Sequence, residues 1–274
     1  MKHAQLLFSI PLLLILLSCN QQPKHPQANL IKQSSATAMT DESILQYVDS
    51  INAHLAALEK QSSLIFLQGE QSMYVEKYNA NGKPVLYEQN LDNKLISNRS
   101  TKYYLKNDSL LFLQETIKTN NGATETRHYF RNNIAFKKEQ RTAPSYAALK
   151  KQPFLAVTAS STTPATTPAQ TTGNEEKQLK IMEDAIGQKG PFALFFEGFI
   201  DIPEESIIQL KGSDRNGYTA NVIVRTTDAL IDSLQRQPSK FKNEKLNFKW
   251  EISDKEAVYV PVGANITSAK GLNK

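Results

Sequence analysis

Hydrophobic positions change their spacing along the chain, and each spacing predicts a different element. Over residues 41–61 the apolar side chains recur at steps of four and three, which predicts an amphipathic helix with Thr40 or Asp41 as its N-cap. Beyond this helix the period falls to two, and strand-like runs alternate with short polar pairs that favour tight turns. The apolar positions of the helix are Ile44, Val48, Ile51, Leu55 and Leu58.

The period-two runs that follow predict an antiparallel β-meander. Most of the turn signals between them begin with asparagine, which tolerates the positive φ that two-residue hairpin turns require. Successive hairpins would form a curved sheet against the helix, with either a cavity or a solid core beneath it. The turns are predicted at 81–82, 92–93, 107–108, 121–122 and 132–133. The strands are predicted at 64–67, 70–79, 84–90, 94–106, 109–119, 124–131 and 134–140.

Two of these hairpins look alike in sequence. Residues 101–115 read TKYYLKNDSLLFLQE and residues 126–139 read TRHYFRNNIAFKKE, so a hairpin-sized internal repeat is predicted. The pattern resembles strand–turn–strand units of uncharacterised bacterial envelope lipoproteins, a resemblance that implies no activity. Three Asp-Ser-apolar triplets, at 49–51, 108–110 and 232–234, resemble the O-glycosylation acceptors of Bacteroidota.

The C-terminal part has a different order of elements. A short helix carrying Leu179, Met182 and Ile186 precedes three strand-like runs, a second helix capped by Thr227, and two further runs. This order resembles an OB-fold, a five-stranded Greek-key barrel with its helix between the third and fourth strands, and Gly198 would suit the bend of the first strand. An SH3-like barrel or a small α+β sheet is the alternative. The runs are 193–202, 206–212, 218–225, 246–252 and 257–266, and the second helix is 228–237.

The N-terminus has the pattern of a targeting signal. Lys2 precedes an apolar run over residues 6–17, and twelve helical residues span ~18 Å, too short for a ~30 Å bilayer core. The run ends in Leu-Leu-Ser-Cys at residues 16–19, which resembles the lipobox of bacterial lipoproteins. This resemblance implies cleavage before Cys19 and lipidation of that residue, the single cysteine of the chain. Asn20 after it implies sorting to the outer membrane.

Two polar segments without apolar periodicity predict tethers. The first follows Cys19, and the second is rich in threonine and proline and carries no charge over 156–174. A structureless stretch of that length inside one compact domain is uncommon, so it predicts a domain boundary. The predicted parts are a signal peptide at 1–18, a lipidated tether at 19–40, a helix-plus-meander domain at 41–153, a disordered linker at 154–174 and an OB-like barrel at 175–274.

The composition offers little material for catalysis. One cysteine and four histidines exclude an internal disulfide, an iron–sulfur cluster and a multi-cysteine zinc site. G-x-S-x-G, H-E-x-x-H, P-loop and G-x-G-x-x-G motifs are absent from the sequence. His128 is interpreted as a half-exposed strand residue, and His54 as a residue at the helix boundary. No catalytic residue, metal or cofactor is therefore assigned. The carboxylates that a glycosidase would draw upon are Glu70, Glu76, Glu88, Glu115 and Glu125.

Charge and aromatic residues bear on the partner. The chain has 32 basic and 27 acidic residues, with its densest basic stretch in the meander domain, where it would meet anionic lipid or polysaccharide or protect a sheet edge. The part over 175–274 is nearly neutral, and this neutrality together with export argues against nucleic acid. The basic residues are Lys137, Lys138, Arg141, Lys150 and Lys151. The aromatic residues Phe195, Phe196, Phe199, Tyr218 and Trp250 are expected in the core.

These observations favour a non-catalytic, membrane-anchored envelope lipoprotein that binds a glycan, a peptide or another envelope protein. A carrier of a lipid or small apolar ligand, held in a cavity under the meander, is the alternative. A hydrolase is the third hypothesis. A carrier needs a continuous apolar cavity, whereas a binding module needs an exposed patch, for which the barrel is the expected place.

Overall fold

A computed structural model describes residues 39–93, 97–157, 169–203 and 205–262. The predicted fold class is confirmed: the protein is mainly β, with an antiparallel meander and a few helices. Cys19, the signal peptide and most of both predicted tethers lie outside the described residues, so lipidation stays a prediction. The strands are β1 (Glu59–Ser62), β2 (Phe66–Gln68), β3 (Gln71–Ala80), β4 (Lys83–Asn93), β5 (Ser97–Lys106), β6 (Ser109–Thr119), β7 (Gly122–Arg131), β8 (Ile134–Ala143), β9 (Leu155–Ala156), β10 (Leu194–Ile202), β11 (Glu205–Gly212), β12 (Thr219–Val224), β13 (Lys249–Ser253) and β14 (Glu256–Val260).

The first helix is shorter than its hydrophobic period predicts. Thr40 caps it by accepting a hydrogen bond from the Ser43 amide at 3.3 Å, but the helix ends at Ala53 and the chain re-enters the sheet as β1. Pairing of β1 with β3 overrides the helical pattern there, while Leu55 and Leu58 still pack against the helix cluster. The helices are α1 (Asp41–Ala53), α2 (Tyr146–Leu149), α3 (Ala169–Ile186), α4 (Ala229–Arg236) and α5 (Pro238–Phe241).

Strands β3 to β8 form the predicted meander, each antiparallel to the next. Asn81, Asn107 and Asn132 open the hairpin turns with φ near +50°, as type I′ turns require. The turn predicted at 92–93 is wrong, because both residues belong to β4 and pair with β5. The connection lies at 94–96, outside the described residues.

The internal repeat occurs three times rather than twice. Tyr78, Tyr104 and Tyr129 each precede the first turn residue of their hairpin by three positions, and the strand register shifts directly after each tyrosine. All three rings are buried in one cluster with the apolar side of α1. The β3–β4 copy escapes a sequence comparison because only the tyrosine and the asparagine turn are retained.

The C-terminal strands follow the order β10-β11-β12-β14-β13, with β12 and β14 parallel. This is the strand order of the OB-fold, and the irregularity between Phe196 and Gly198 bends β10 as expected. The barrel is not closed: within the described residues no ladder joins β10 to β13, and Phe196 bonds the backbone of Asn243 and Glu244 instead. Asp228, not Thr227, caps α4, by accepting from two amides.

One hydrophobic core and one sheet extend through both parts of the chain. Phe66 of β2 packs against Phe192 and Tyr218, and Leu67 pairs with Thr219 of β12. The 154–174 segment is partly ordered: β9 pairs with β8, and 169–174 belong to α3, since extending a helix costs less than nucleating one. Whether the two parts fold independently stays a prediction.

Candidate functional site

The two faces of the meander are covered differently. The inner face packs against the C-terminal part through a continuous apolar core, which includes Val75, Tyr103 and Leu113. The outer face carries the three repeat tyrosines at its turn end, under α1. A helix of 13 residues is only about 20 Å long and lies across that end, so the strands continue beyond its reach.

Polar side chains occupy the part of the outer face that α1 leaves open. Strand register aligns them in rows, in which each residue lies opposite its neighbour on the next strand. Cross-strand neighbours on one face are close enough for their side chains to interact. The first row is Glu76, Glu88, Lys102, Gln114, Arg127 and Glu139. The second row is Tyr74, Asn90, Ser100, Thr116, Glu125 and Arg141.

These rows form the floor of a cleft of about 360 Å³, which we call the polar cleft. Tyr146 of α2 and Lys255 of the β13–β14 turn contribute to its walls. The C-terminal part therefore completes a site whose floor belongs to the meander. Its lining residues are Glu88, Asn90, Asn98, Ser100, Lys102, Gln114, Thr116, Lys118, Tyr146 and Lys255.

The carboxylates at the polar cleft are already neutralised by protein groups. Glu88 accepts a hydrogen bond from the Ser100 hydroxyl at 3.0 Å and lies 3.4 Å from the Lys102 ammonium. Asp92, at the edge of the cleft, lies 3.3 Å from the ammonium of Lys255. The cleft therefore presents amides, hydroxyls and ammonium groups rather than a free carboxylate base.

Tyr74 adds a neutral hydroxyl beside the cleft. Burial, followed by the negative charges of Glu76 and Glu88, raises the pKa of Tyr74 to about 12. The phenol therefore keeps its proton at neutral pH and can donate or accept a hydrogen bond.

A buried ion pair supports the far side of the polar face. Arg141 donates to Glu125 through Nε at 3.0 Å and through a second guanidinium nitrogen, and Gln114 donates to the same carboxylate at 2.6 Å. Only 4% of the Glu125 side chain is exposed. The guanidinium groups of Arg127 and Arg141 lie over the Phe154 ring at 3.6 and 4.3 Å from its centroid. This network fixes the segment after α2 on β7 and β8.

The five glutamates considered for glycosidase chemistry do not converge. Glu76 and Glu88 are opposite one another on the outer face, but Glu115 pairs with Arg99 and Glu125 is occupied by Arg141. Glu70 lies in the exposed β2–β3 turn. Among the described residues no group of three His, Cys, Asp or Glu side chains is arranged to hold a metal ion.

His128 is a half-buried strand residue, as its pattern predicts. It lies on the inner face and stacks near Phe130. Burial, with a smaller contribution from the charge of Lys138, lowers the pKa of His128 to about 4. His54 is exposed at the end of α1, where its Nδ1 lies 2.8 Å from the Ser50 carbonyl.

The basic stretch does not form one free cationic patch. Lys137 lies 2.8 Å from Asp41 and 2.9 Å from Glu139, so it fastens α1 to the sheet, and Arg141 serves the buried network. Only Lys150 of that stretch approaches the polar cleft, where it lies over Tyr146.

The aromatic residues of the C-terminal part belong mainly to the core, as expected. Phe196 is fully buried, and Phe199, Tyr218 and Trp250 pack partly buried against the same core. Phe195 instead lines an open depression of about 400 Å³ with Glu197, Lys211, Gly212, Ser213 and Asn243. Helices in the described ranges are too short or too polar to cross a membrane.

Comparison with protein-family models, with curated proteins and with solved structures found no match. The site therefore has to be interpreted from its own chemistry. Sequence reasoning placed the binding patch on the C-terminal barrel and missed the polar cleft. One signal for it was present, because Glu88, Asn90 and Asp92 alternate on one face of β4 and similar polar alternation recurs on β5 and β6.

Proposed function

We propose that this protein is a non-catalytic envelope lipoprotein, fastened to the membrane through Cys19, whose polar cleft binds an extracytoplasmic ligand. The observation that carries this proposal is the polar half of the outer face, where the sheet is left uncovered between α2 and the β13–β14 turn. Its array of amides, hydroxyls and ammonium groups suits a glycan better than an apolar ligand. A peptide or another envelope protein is the alternative ligand.

The packing under the meander supports binding over carriage of a lipid. Leu64, Phe66, Val75 and Phe196 are fully buried there, and their side chains fill the space in which a carrier would need a cavity. A hydrolase is least favoured, because the carboxylates at the cleft are engaged by Ser100, Lys102 and Lys255.

Metabolic labelling with palmitate tests the anchor. The wild-type chain is expected to incorporate label and to partition into detergent, whereas Cys19→Ala is expected to lose both properties. Equal labelling of the two proteins would refute lipidation at Cys19. Separation of the inner and outer membranes before the label is measured tests the proposed outer-membrane location.

Photo-crosslinking in the native envelope tests the cleft. A photoreactive amino acid at Thr116, on the cleft floor, is expected to capture a partner molecule. The matched control is Asn221, an exposed residue on β12 of the C-terminal part. Capture from Asn221 alone would move the binding surface to the C-terminal part, and capture from neither position would overturn the proposed binding role.

A further inference from the structure

Lys118 is an uncompensated cation at one end of the polar cleft. Its ammonium lies 3.9 Å from the centroid of the Tyr146 ring, and that of Lys150 lies 5.2 Å from the same centroid. Across the described parts of the chain, neither lysine forms an ion pair with a carboxylate. Both side chains are exposed. A cation over an aromatic face keeps its full charge, so this end of the cleft is positive.

The rest of the cleft does not offset this charge. Lys102, Lys118 and Lys255 line the cleft together with a single carboxylate, Glu88. Asp92 beside it is engaged by Lys255. Like charges inside a cleft with low-dielectric walls attract a ligand of opposite sign more strongly than the same charges scattered over a surface do. The charge balance therefore selects against cationic ligands.

Between the charged groups the floor is neutral and rich in hydrogen-bonding groups. Asn90, Ser100 and Thr116 lie side by side on three adjacent strands, about 4.8 Å apart from strand to strand. Such a row offers donors and acceptors to a chain of hydroxyl groups. Tyr146, 40% exposed, adds a ring with an apolar face and a polar tip at the wall.

We propose that the polar cleft binds an acidic oligosaccharide, with the sugar hydroxyls on the Asn90–Ser100–Thr116 row and an anionic group at Lys118 and Lys150. The inference rests on the proposed binding function and specifies the ligand class. The shared chemistry is a sugar that carries a carboxylate or a sulfate. The cleft volume of about 360 Å³ lies at the lower end of ligand sites and suits a short segment of such a chain.

Calorimetric titration of the full chain in detergent tests this ligand class. The probes are tetragalacturonate, its neutral methyl ester and a sulfated tetrasaccharide, the last of which separates carboxylate from sulfate recognition. At least one acidic probe is expected to bind, with affinity falling as salt rises, and the ester is expected to bind about tenfold more weakly or not at all. Lys118→Gln is expected to weaken the acidic probe about tenfold, Lys118→Arg to retain most of the affinity, and the double Lys118→Gln, Lys150→Gln variant to weaken it further.

Lys240→Gln is the matched control, because it removes one exposed lysine on α5 outside the cleft. An equal loss of affinity in Lys240→Gln and Lys118→Gln would overturn the assignment in favour of non-specific charge attraction. Binding of the ester as tight as that of the acid would overturn the anionic class but leave the cleft as a binding site. Absence of binding by all three probes, with partner capture at Thr116, would refute this inference alone; without that capture both proposals fail.

Discussion

The outer face of the meander has two halves that are built from the same strands and do different things. At the turn end, Tyr78, Tyr104 and Tyr129 are buried with Leu86 and Phe112 under α1. One pleat further along each strand, a residue with a charged or amide side chain takes the same face: Glu76, Lys102, Arg127, Glu88 and Gln114 respectively. Two residues of strand, about 7 Å, separate a hydrophobic core from a solvent-facing cleft.

This difference shows that stabilisation and recognition are separated along the strands rather than between domains. The half under α1, which we call the helix half, supplies hydrophobic burial, and the other is the polar half. Two hydrogen bonds add to the helix half at the edge of α1: Tyr47 donates to the Leu105 carbonyl at 2.6 Å, and Tyr104 donates to Asn52 at 2.9 Å. Beyond the Glu125–Arg141 pair, the polar half buries few side chains, and its carboxylates, but not Lys118, are paired with protein groups. Residues of the cleft can therefore serve ligand binding without being required for the stability of the fold.

The largest expected effect is in the helix half. Phe112 is fully buried and packs edge-on against Tyr104 and Tyr129, with ring centroids 5.8 and 5.1 Å away. Phe112→Ala is expected to lower the free energy of unfolding by about 3–5 kcal/mol, through lost burial and the cavity left behind. Urea denaturation of the wild type and of the variant measures this difference in unfolding free energy. Thr116→Ala, two pleats further along β6 on the same face, is the control, and a comparable loss there would contradict the division of the face.

The second-largest expected loss of stability follows from removing the buried ion pair between Glu125 and Arg141. This pair tests whether the polar half also contributes to the stability of the fold. Glu125→Leu leaves the Arg141 guanidinium without its carboxylate and is expected to cost about 3 kcal/mol. Replacing both residues, Glu125→Leu with Arg141→Met, is expected to recover most of that loss, because the unpaired charge is gone. Urea denaturation of both variants decides: a double variant as unstable as the single one would show that packing, not charge, holds this corner.

Sequence reasoning captured what local patterns encode. The Ile44, Val48 and Ile51 stripe gave the buried side of α1, and the asparagine turns gave the hairpins, because both depend on residues close in the chain. The succession of strands and helix along the C-terminal part was predictable for the same reason. The end of α1 was not, since strand pairing of Lys60 with Tyr78 decides it.

The polar cleft depends on contacts that no local pattern carries. Lys255 lies far along the chain from Asp92, yet the two side chains meet at its edge. Glu183 of α3 likewise meets Lys77 at 2.9 Å and accepts from Tyr87, which joins the parts that composition alone separates. The Thr/Pro-rich stretch shows where hydrophobic periodicity stops along the chain. It carries no information on whether the parts before and after it pack against one another.

The inner face differs from both halves of the outer face because it carries a half-buried titratable group, His128. The pKa of His128 is about 4 when folded, against an ordinary value of 6.5, so the unfolded chain binds a proton first as the pH falls. The stability that depends on a neutral His128 is complete above pH 6.5 and is lost between pH 6.5 and 4. After solvent screening the loss is on the order of 1–2 kcal/mol.

His128→Gln removes this titration, so its unfolding free energy is expected to fall less than that of the wild type between pH 7 and 4. Urea denaturation at a series of pH values measures the difference. His54→Gln, which removes an exposed histidine, is the control. Parallel pH curves for the wild type and His128→Gln would show that the inner face hydrates this side chain.

The smallest expected effect on stability is the one that separates the two halves most cleanly. Thr116 lies on the cleft floor, and valine has nearly its shape and a higher strand propensity, so Thr116→Val is expected to change the free energy of unfolding by less than about 0.5 kcal/mol. The lost hydroxyl is nevertheless expected to weaken an acidic oligosaccharide about fivefold, the effect of one neutral hydrogen bond. Urea denaturation and calorimetry on the same preparation measure both quantities. A variant that loses stability but keeps its affinity would reverse the roles assigned here, because the polar half would then serve the fold rather than the ligand.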